Sequence, residues 1–247
     1  MRLRYIIPGP MSQSVLGQAE LNRRSELLKA WAAPDVEITV NDVATGPAAV
    51  ESTYDEYLGV PGCCEAVLTA ERAGADGIIV GCFGDPGLDA LREITTRAVV
   101  VGPGAAAFHW ACLLGERIGV ITPLEGTAGP IRRLVVRQGI MSALAGIEVA
   151  GTTILDVNRD PLGTWPRIEG AGKRLVDHGA DVVVLACMSM GFRDFTAELE
   201  ASLGVPVVNP VRASLALAEG FVRARQMHSK RAYPTPPNST TGCQVAV

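Results

Sequence analysis

The chain carries one local pattern twice. Gly74-Ala75-Asp76-Gly77-Ile78-Ile79-Val80-Gly81-Cys82 and Gly179-Ala180-Asp181-Val182-Val183-Val184-Leu185-Ala186-Cys187 align without a gap at a constant offset of 105 positions, 74 to 179 and 82 to 187. Each copy reads as a helix end, a Gly-Ala-Asp turn, a short aliphatic strand, and a cysteine where the chain leaves that strand. A run that is apolar at successive positions has both faces buried, the condition of a strand in a parallel sheet covered by helices. A second stretch, Ala98-Val99-Val100-Val101-Gly102-Pro103, echoes Pro206-Val207-Val208-Asn209-Pro210 at about the same offset.

A repeat of this kind predicts an α/β fold of two pseudo-symmetric three-layer lobes with mainly parallel sheets and an active site in the cleft between them. Strands are expected near residues 3–7, 36–40, 77–81, 98–101, 118–122, 148–155, 182–186 and 206–208. Helical spacing runs over 18–33, 61–73, 105–114, 128–145, 167–177, 192–203 and 212–228. The first lobe is expected over residues 1–102 and the second over 103–210. The last helix, 211–228, is a candidate to pack back on the first lobe, and 229–247 reads as a Pro/Ser/Thr-rich tail, mobile or packed as coil.

Composition narrows the function. The 26 acidic and 22 basic residues give a net charge of −4 with the arginines scattered, so there is no basic stripe for nucleic acid. No apolar run is long enough to span a bilayer, and the apolar start is cut short by Pro8, so neither a membrane partner nor a leader is expected and the protein reads as cytoplasmic. Six cysteines without a CxxC spacing predict reduced thiols and no metal. There is no GxGxxG after a strand and no GxxxxGK[ST], and the three lysines, Lys29, Lys173 and Lys230, offer no obvious Schiff-base anchor, so no cofactor is expected.

What remains is a small-molecule site at the strand ends, where parallel α/β sheets collect ligands. Cys82 and Cys187 both fall there. A thiol at such a place is expected to have a lowered pKa. Two of them on opposite sides of a cleft suit proton transfer at carbon: one thiolate removes a proton while the other thiol delivers one to the opposite face. Approach to the carbon at ~3–3.5 Å from each side would set the sulfurs roughly 6–7.5 Å apart. A buried cysteine at a strand end is more often packing than chemistry, but the repeat puts the same reactive group at the same end of both copies. Cys63, Cys64, Cys112 and Cys243 have no such echo and read as structural or incidental.

These residues carry a resemblance. Gly81-Cys82-Phe83-Gly84-Asp85-Pro86-Gly87-Leu88, with Gly46-Pro47-Ala48-Ala49-Val50-Glu51-Ser52-Thr53-Tyr54-Asp55-Glu56, Val60-Pro61-Gly62, the run 108–117 and the approach to Cys187 and Met190, resembles the hydantoin/allantoin racemase branch of the aspartate/glutamate racemase superfamily. The likeness covers residues 1 to about 228. It implies that Cys82 and Cys187 form the acid/base pair, that no cofactor is used, that the substrate is a cyclic ureide or small acid, and that the protein is a homo-oligomer. The chain departs from that branch in three places. Ile7-Pro8-Gly9-Pro10-Met11-Ser12 replaces an Asn-Pro-Asn segment, leaving Pro8, Gly9 and Ser12 as its substrate contacts. Ala186-Cys187-Met188-Ser189-Met190 replaces Gly-Cys-Ala-Gly-Met, and Ala105 stands where an acid is usual.

Around the cysteines, Thr122 and Asn209 end strands where they either hydrogen-bond substrate or cap a helix or turn. The backbone amides of Phe83, Gly84, Met188 and Ser189 are placed to stabilise an enolate oxygen, although the Phe83 and Met188 side chains suit the core equally. Asp85 reads as a turn or capping carboxylate, and Glu51, Asp55 and Glu56 as a solvated face or an inter-subunit contact. His109, His178 and His228 read as structural or surface groups. The leading expectation is a cofactor-independent racemase or epimerase acting at C5 of a 5-substituted hydantoin or allantoin. The alternatives are a cysteine-dependent decarboxylase of malonates, a cis/trans isomerase of an unsaturated diacid, and a binding module without catalysis.

Overall fold

The computed structural model of the protein describes residues 1–237. Cys243 and positions 238–247 of the expected tail lie outside the described residues. The chain builds two four-stranded, all-parallel sheets with the same strand order. In the first, β2 (Glu37–Asp42), β1 (Arg2–Ile7), β3 (Gly77–Val80) and β4 (Val99–Val101) lie side by side. In the second the order is β6 (Leu144–Val149), β5 (Ile118–Thr122), β7 (Val182–Leu185) and β8 (Val207–Val208). Leu3 pairs with Gly77 as Ile118 pairs with Val182, so the sequence repeat is also a repeat of register.

Alternation along the repeated strands sorts side chains into layers. Ile78 and Val80 enter an outer core beneath α2 (Thr53–Arg72) and α3 (Leu88–Ile94). Their counterparts Val183 and Leu185 enter one beneath α7 (Pro161–Asp177) and α9 (Thr196–Leu203). Ile79 and Val184 point the other way, into a single inner core that both sheets share. That inner core is filled from α1 (Gly17–Trp31), α4 (Pro103–Leu114), α5 (Glu125–Arg137) and α10 (Pro210–Arg223). The last helix packs on β3, β4 and α4, while α4 packs on β7 and β8. Beyond α10, His228 Nε2 accepts the Val100 amide at 2.8 Å, which satisfies a donor on the edge strand β4.

The departures from the expected elements have local causes. The helix expected over 128–145 stops at Arg137 because Gly139 takes φ 73, and the next strand starts at Leu144. The strand expected over 148–155 therefore ends at Val149. Gly151 turns the chain at φ 70, and Thr153 caps the short α6 (Ile154–Arg159) by accepting the Asp156 amide at 3.0 Å. The helix expected over 192–203 is two, α8 (Met188–Arg193) and α9, separated by Asp194 at φ 54. The helix expected over 61–73 starts earlier, at Thr53, where the Ser52 hydroxyl accepts the Asp55 amide. Among the described residues no helix is long and apolar enough to cross a membrane.

Candidate active site

Cys82 lies one residue beyond β3, after Gly81, and Cys187 occupies the equivalent place after β7, following Ala186 at the start of α8. They are 9% and 6% exposed, and what exposure they have faces one cavity of about 430 Å³ whose wall includes both. Both residues border the same cavity, and Cys187 also belongs to the core cluster beneath α7 and α9. The sheets bring them together because the loops leaving β3 and β7 stand at the same end of the shared inner core.

Of the residues singled out from sequence, Pro8, Gly9, Phe83, Gly84, Met188 and Ser189 also line this cavity. Three others do not reach the wall. The Ser12 amide donates to Asp42 Oδ2 at 2.7 Å, outside the cavity. Thr122 is fully buried, its hydroxyl 2.6 Å from that of Thr127, which is the threonine that does line the wall. Asn209 takes the capping option: Oδ1 accepts the Val211 amide at 3.0 Å, and Nδ2 donates to Gly191 O. Asp85 is likewise a cap, accepting the Gly104 and Ala105 amides at 2.9 and 2.7 Å. The acid at the start of α4 thus comes from the Cys82 loop, across from Ala105.

Electrostatics corrects the expectation of lowered thiol pKa values. Burial pushes Cys82 well above the usual thiol range; the nearby Glu56 and Asp85 carboxylates push it further, against one helping bond from the Gly84 amide. Burial also raises Cys187, but the Met190 and Ser189 amides, the Arg24 guanidinium and the Ser189 hydroxyl all pull it down. Removal from water is the larger effect at both sites. The two thiols are therefore unequal, with an acidic neighbourhood at Cys82 and a basic one at Cys187.

Sequence reasoning missed the two charged side chains in the wall, Arg24 and Glu56. Arg24 sits in α1, only 3% exposed, and its Nη2 donates to Ser189 Oγ at 3.0 Å and Asn158 Oδ1 at 3.2 Å. Nothing in its local sequence marks it. Glu56, read as a solvated face, lies in the first turns of α2 with its carboxyl against Gly84, where any Cβ would collide with Oε1. The signal was the capping serine Ser52, which starts the helix early enough to turn Glu56 inward. The remaining wall is largely aliphatic, including Met11, Val15, Leu16, Ile131, Ile154 and Leu155.

A parallel α/β scaffold in which two equivalent strand ends meet one mostly apolar cavity is that of a small-molecule enzyme. A family model for Asp/Glu/Hydantoin racemase matches residues 18–218. The hydantoin racemase of Pseudomonas sp. (strain NS671) is 35% identical over 203 residues, covering 82% of this chain and 80% of that protein. That of Paenarthrobacter aurescens is 30% identical over 230 residues, covering 92% and 94%. The crystal structure of the allantoin racemase from Pseudomonas fluorescens matches with a TM-score of 0.87 at 26% identity, covering 96% of this chain and 97% of that one. The chain belongs to the Asp/Glu/Hydantoin racemase family and is an isomerase of the racemase type.

Proposed function

We propose that the enzyme inverts C5 of 5-substituted hydantoins, using Cys82 and Cys187 as opposed acid and base without a cofactor. The observation that carries this reading is that two thiols at equivalent strand ends line one cavity. For one enantiomer the Cys187 thiolate takes the C5 proton, the electrons moving onto the adjacent carbonyl oxygen, and the Cys82 thiol then protonates the opposite face. For the other enantiomer the roles exchange. The Gly84 and Ser189 amides bond the Cys82 and Cys187 sulfurs respectively, so each helps to hold its cysteine as the thiolate when that cysteine acts as base. The aliphatic wall suits an apolar C5 substituent better than the polar ureido group of allantoin.

The test is hydrogen exchange in deuterium oxide with each pure enantiomer of 5-benzylhydantoin, above the uncatalysed background. Product should carry one deuterium at C5 while recovered substrate keeps its protium early in the reaction. Cys82→Ser and Cys187→Ser should each lower inversion by about 10²–10⁴-fold. Wild-type inversion by either single variant, or release of carbon dioxide from an arylmalonate through one cysteine alone, would refute the assignment.

A further inference from the structure

We propose that Glu56 is the specificity residue of this cavity: its carboxylate accepts a ring N–H of a neutral cyclic ureide and turns away ligands that themselves carry a carboxylate. This rests on the reading of the cavity as a racemase site and adds to it the group that selects the substrate class.

The argument starts from an acceptor without a donor. Glu56 lines the cavity beside Cys82, its carboxyl group lying against Gly84 where a Cβ would displace it. Among the described residues no donor hydrogen-bonds to its carboxyl group. The cation that acts on it, Arg133, directs its Nη2 to the Thr53 hydroxyl at 2.8 Å instead. Partial burial raises the Glu56 pKa, with the Arg133 charge acting against it, as expected of a carboxylate that has lost part of its water without gaining a donor. An N–H arriving with a ligand would supply the missing donor, and hydrogen bonds to a charged acceptor are among the stronger ones.

The rest of the wall sets what that ligand looks like. The other charged side chain, Arg24, stands at the Cys187 side, tied to Ser189. The cavity therefore has an acceptor pole at Cys82 and a donor pole at Cys187, with aliphatic surface between them. A cyclic ureide carries N–H next to C=O around one small ring and no net charge, and so satisfies both poles. A malonate or other dicarboxylate offers acceptors at both ends. One of its carboxylates would meet Glu56, and like charges brought together at short range repel.

Calorimetric binding separates this from turnover. The ligands are 5-benzylhydantoin, its 1-methyl and 3-methyl derivatives, and benzylmalonate, each titrated into wild type, Glu56→Gln and Glu56→Leu, with circular dichroism to confirm folding. Wild type should bind 5-benzylhydantoin at least tenfold more tightly than one of the two N-methyl derivatives, and benzylmalonate weakly. Glu56→Leu should lose the preference for the free N–H, and Glu56→Gln, which retains a neutral acceptor oxygen, should keep part of it. Both variants should bind benzylmalonate about tenfold more tightly than wild type. Affinities that fall equally for every ligand, or that do not change, would overturn the proposal, as would a wild type that prefers benzylmalonate. A wild type that shows the expected binding pattern but exchanges no C5 hydrogen would refute the racemase reading while leaving Glu56 as the selector.

Discussion

Arg24 illustrates how one side chain couples burial to chemistry. Its guanidinium Nε donates to Glu20 Oε1 at 2.9 Å, and its face lies 4.7 Å from the centre of the Phe192 ring. A buried cation is tolerated only with such partners. Burial of Glu20 works against its ionisation, but Arg23 and Arg24 together hold its carboxyl down at about 2. With the positive charge fixed in place, Arg24 lowers the pKa of Cys187, which burial has raised. Replacing Arg24 with Met removes that help, so the Cys187 pKa should rise further. Alkylation of Cys187 by iodoacetamide, read in a Cys82→Ser background, should slow at neutral pH and recover as pH rises. Arg24→Lys should restore part of the rate. An unchanged pH profile in Arg24→Met would show that the guanidinium does not act on the thiol.

At the scale of elements, the loop from Cys82 to Gly87 is joined to the start of α4 by one carboxylate. Asp85 is 4% exposed and adopts φ 53, and its two oxygens accept the first free amides of α4. Burial pushes its pKa from 3.8 up to about 7. The sign follows from linkage: a folded-state pKa above the unfolded one stabilises the fold at pH below 3.8, and this contribution is lost as pH rises through 7. Asp85→Ala should cost about 1–2 kcal/mol through the lost cap and should also lower activity, because the same loop carries Cys82. Asp85→Asn cannot ionise, so its stability deficit relative to wild type should shrink between pH 5 and pH 8 in urea titrations. A deficit that grows with pH would contradict this account.

For the molecule as a whole, the shared inner core decides how it folds. Ile79 and Val101 from the first sheet and Val184 and Val208 from the second belong to the same buried cluster, together with Phe108 of α4 and Val211 of α10. Polar contacts also cross between the halves: Arg23 donates to the Phe192 carbonyl at 2.9 Å, and Arg24 to Ser189. The inner face of the first sheet is covered in part by α10, which follows the second sheet in the chain. The protein should therefore melt in one calorimetric transition. A fragment of residues 1–102, which lacks α4 and α10, should show no cooperative unfolding and should bind hydrophobic dyes. Two separate transitions, or a cooperatively folded fragment, would show that the halves are independent.

Sequence alone determined the strand-turn-cysteine unit and its repetition. Buried parallel strands are marked by their own consecutive aliphatic residues, and the repeat places Cys82 and Cys187 at matching ends without any knowledge of packing. It also marked Asp85 as a turn or capping carboxylate, but that the helix it caps is the distant α4 rather than the adjacent α3 came from tertiary contact. It could not assign Ser12, Thr122 and Asn209, since a polar group at a strand end faces either a ligand or its own backbone depending on a rotation of a few tens of degrees. Only the tertiary structure decided that Arg24 and Glu56 enter the cavity and that both thiols are raised rather than lowered. Those outcomes depend on which distant segments exclude water from a side chain, and desolvation is a property of the assembled core that no short stretch of sequence contains.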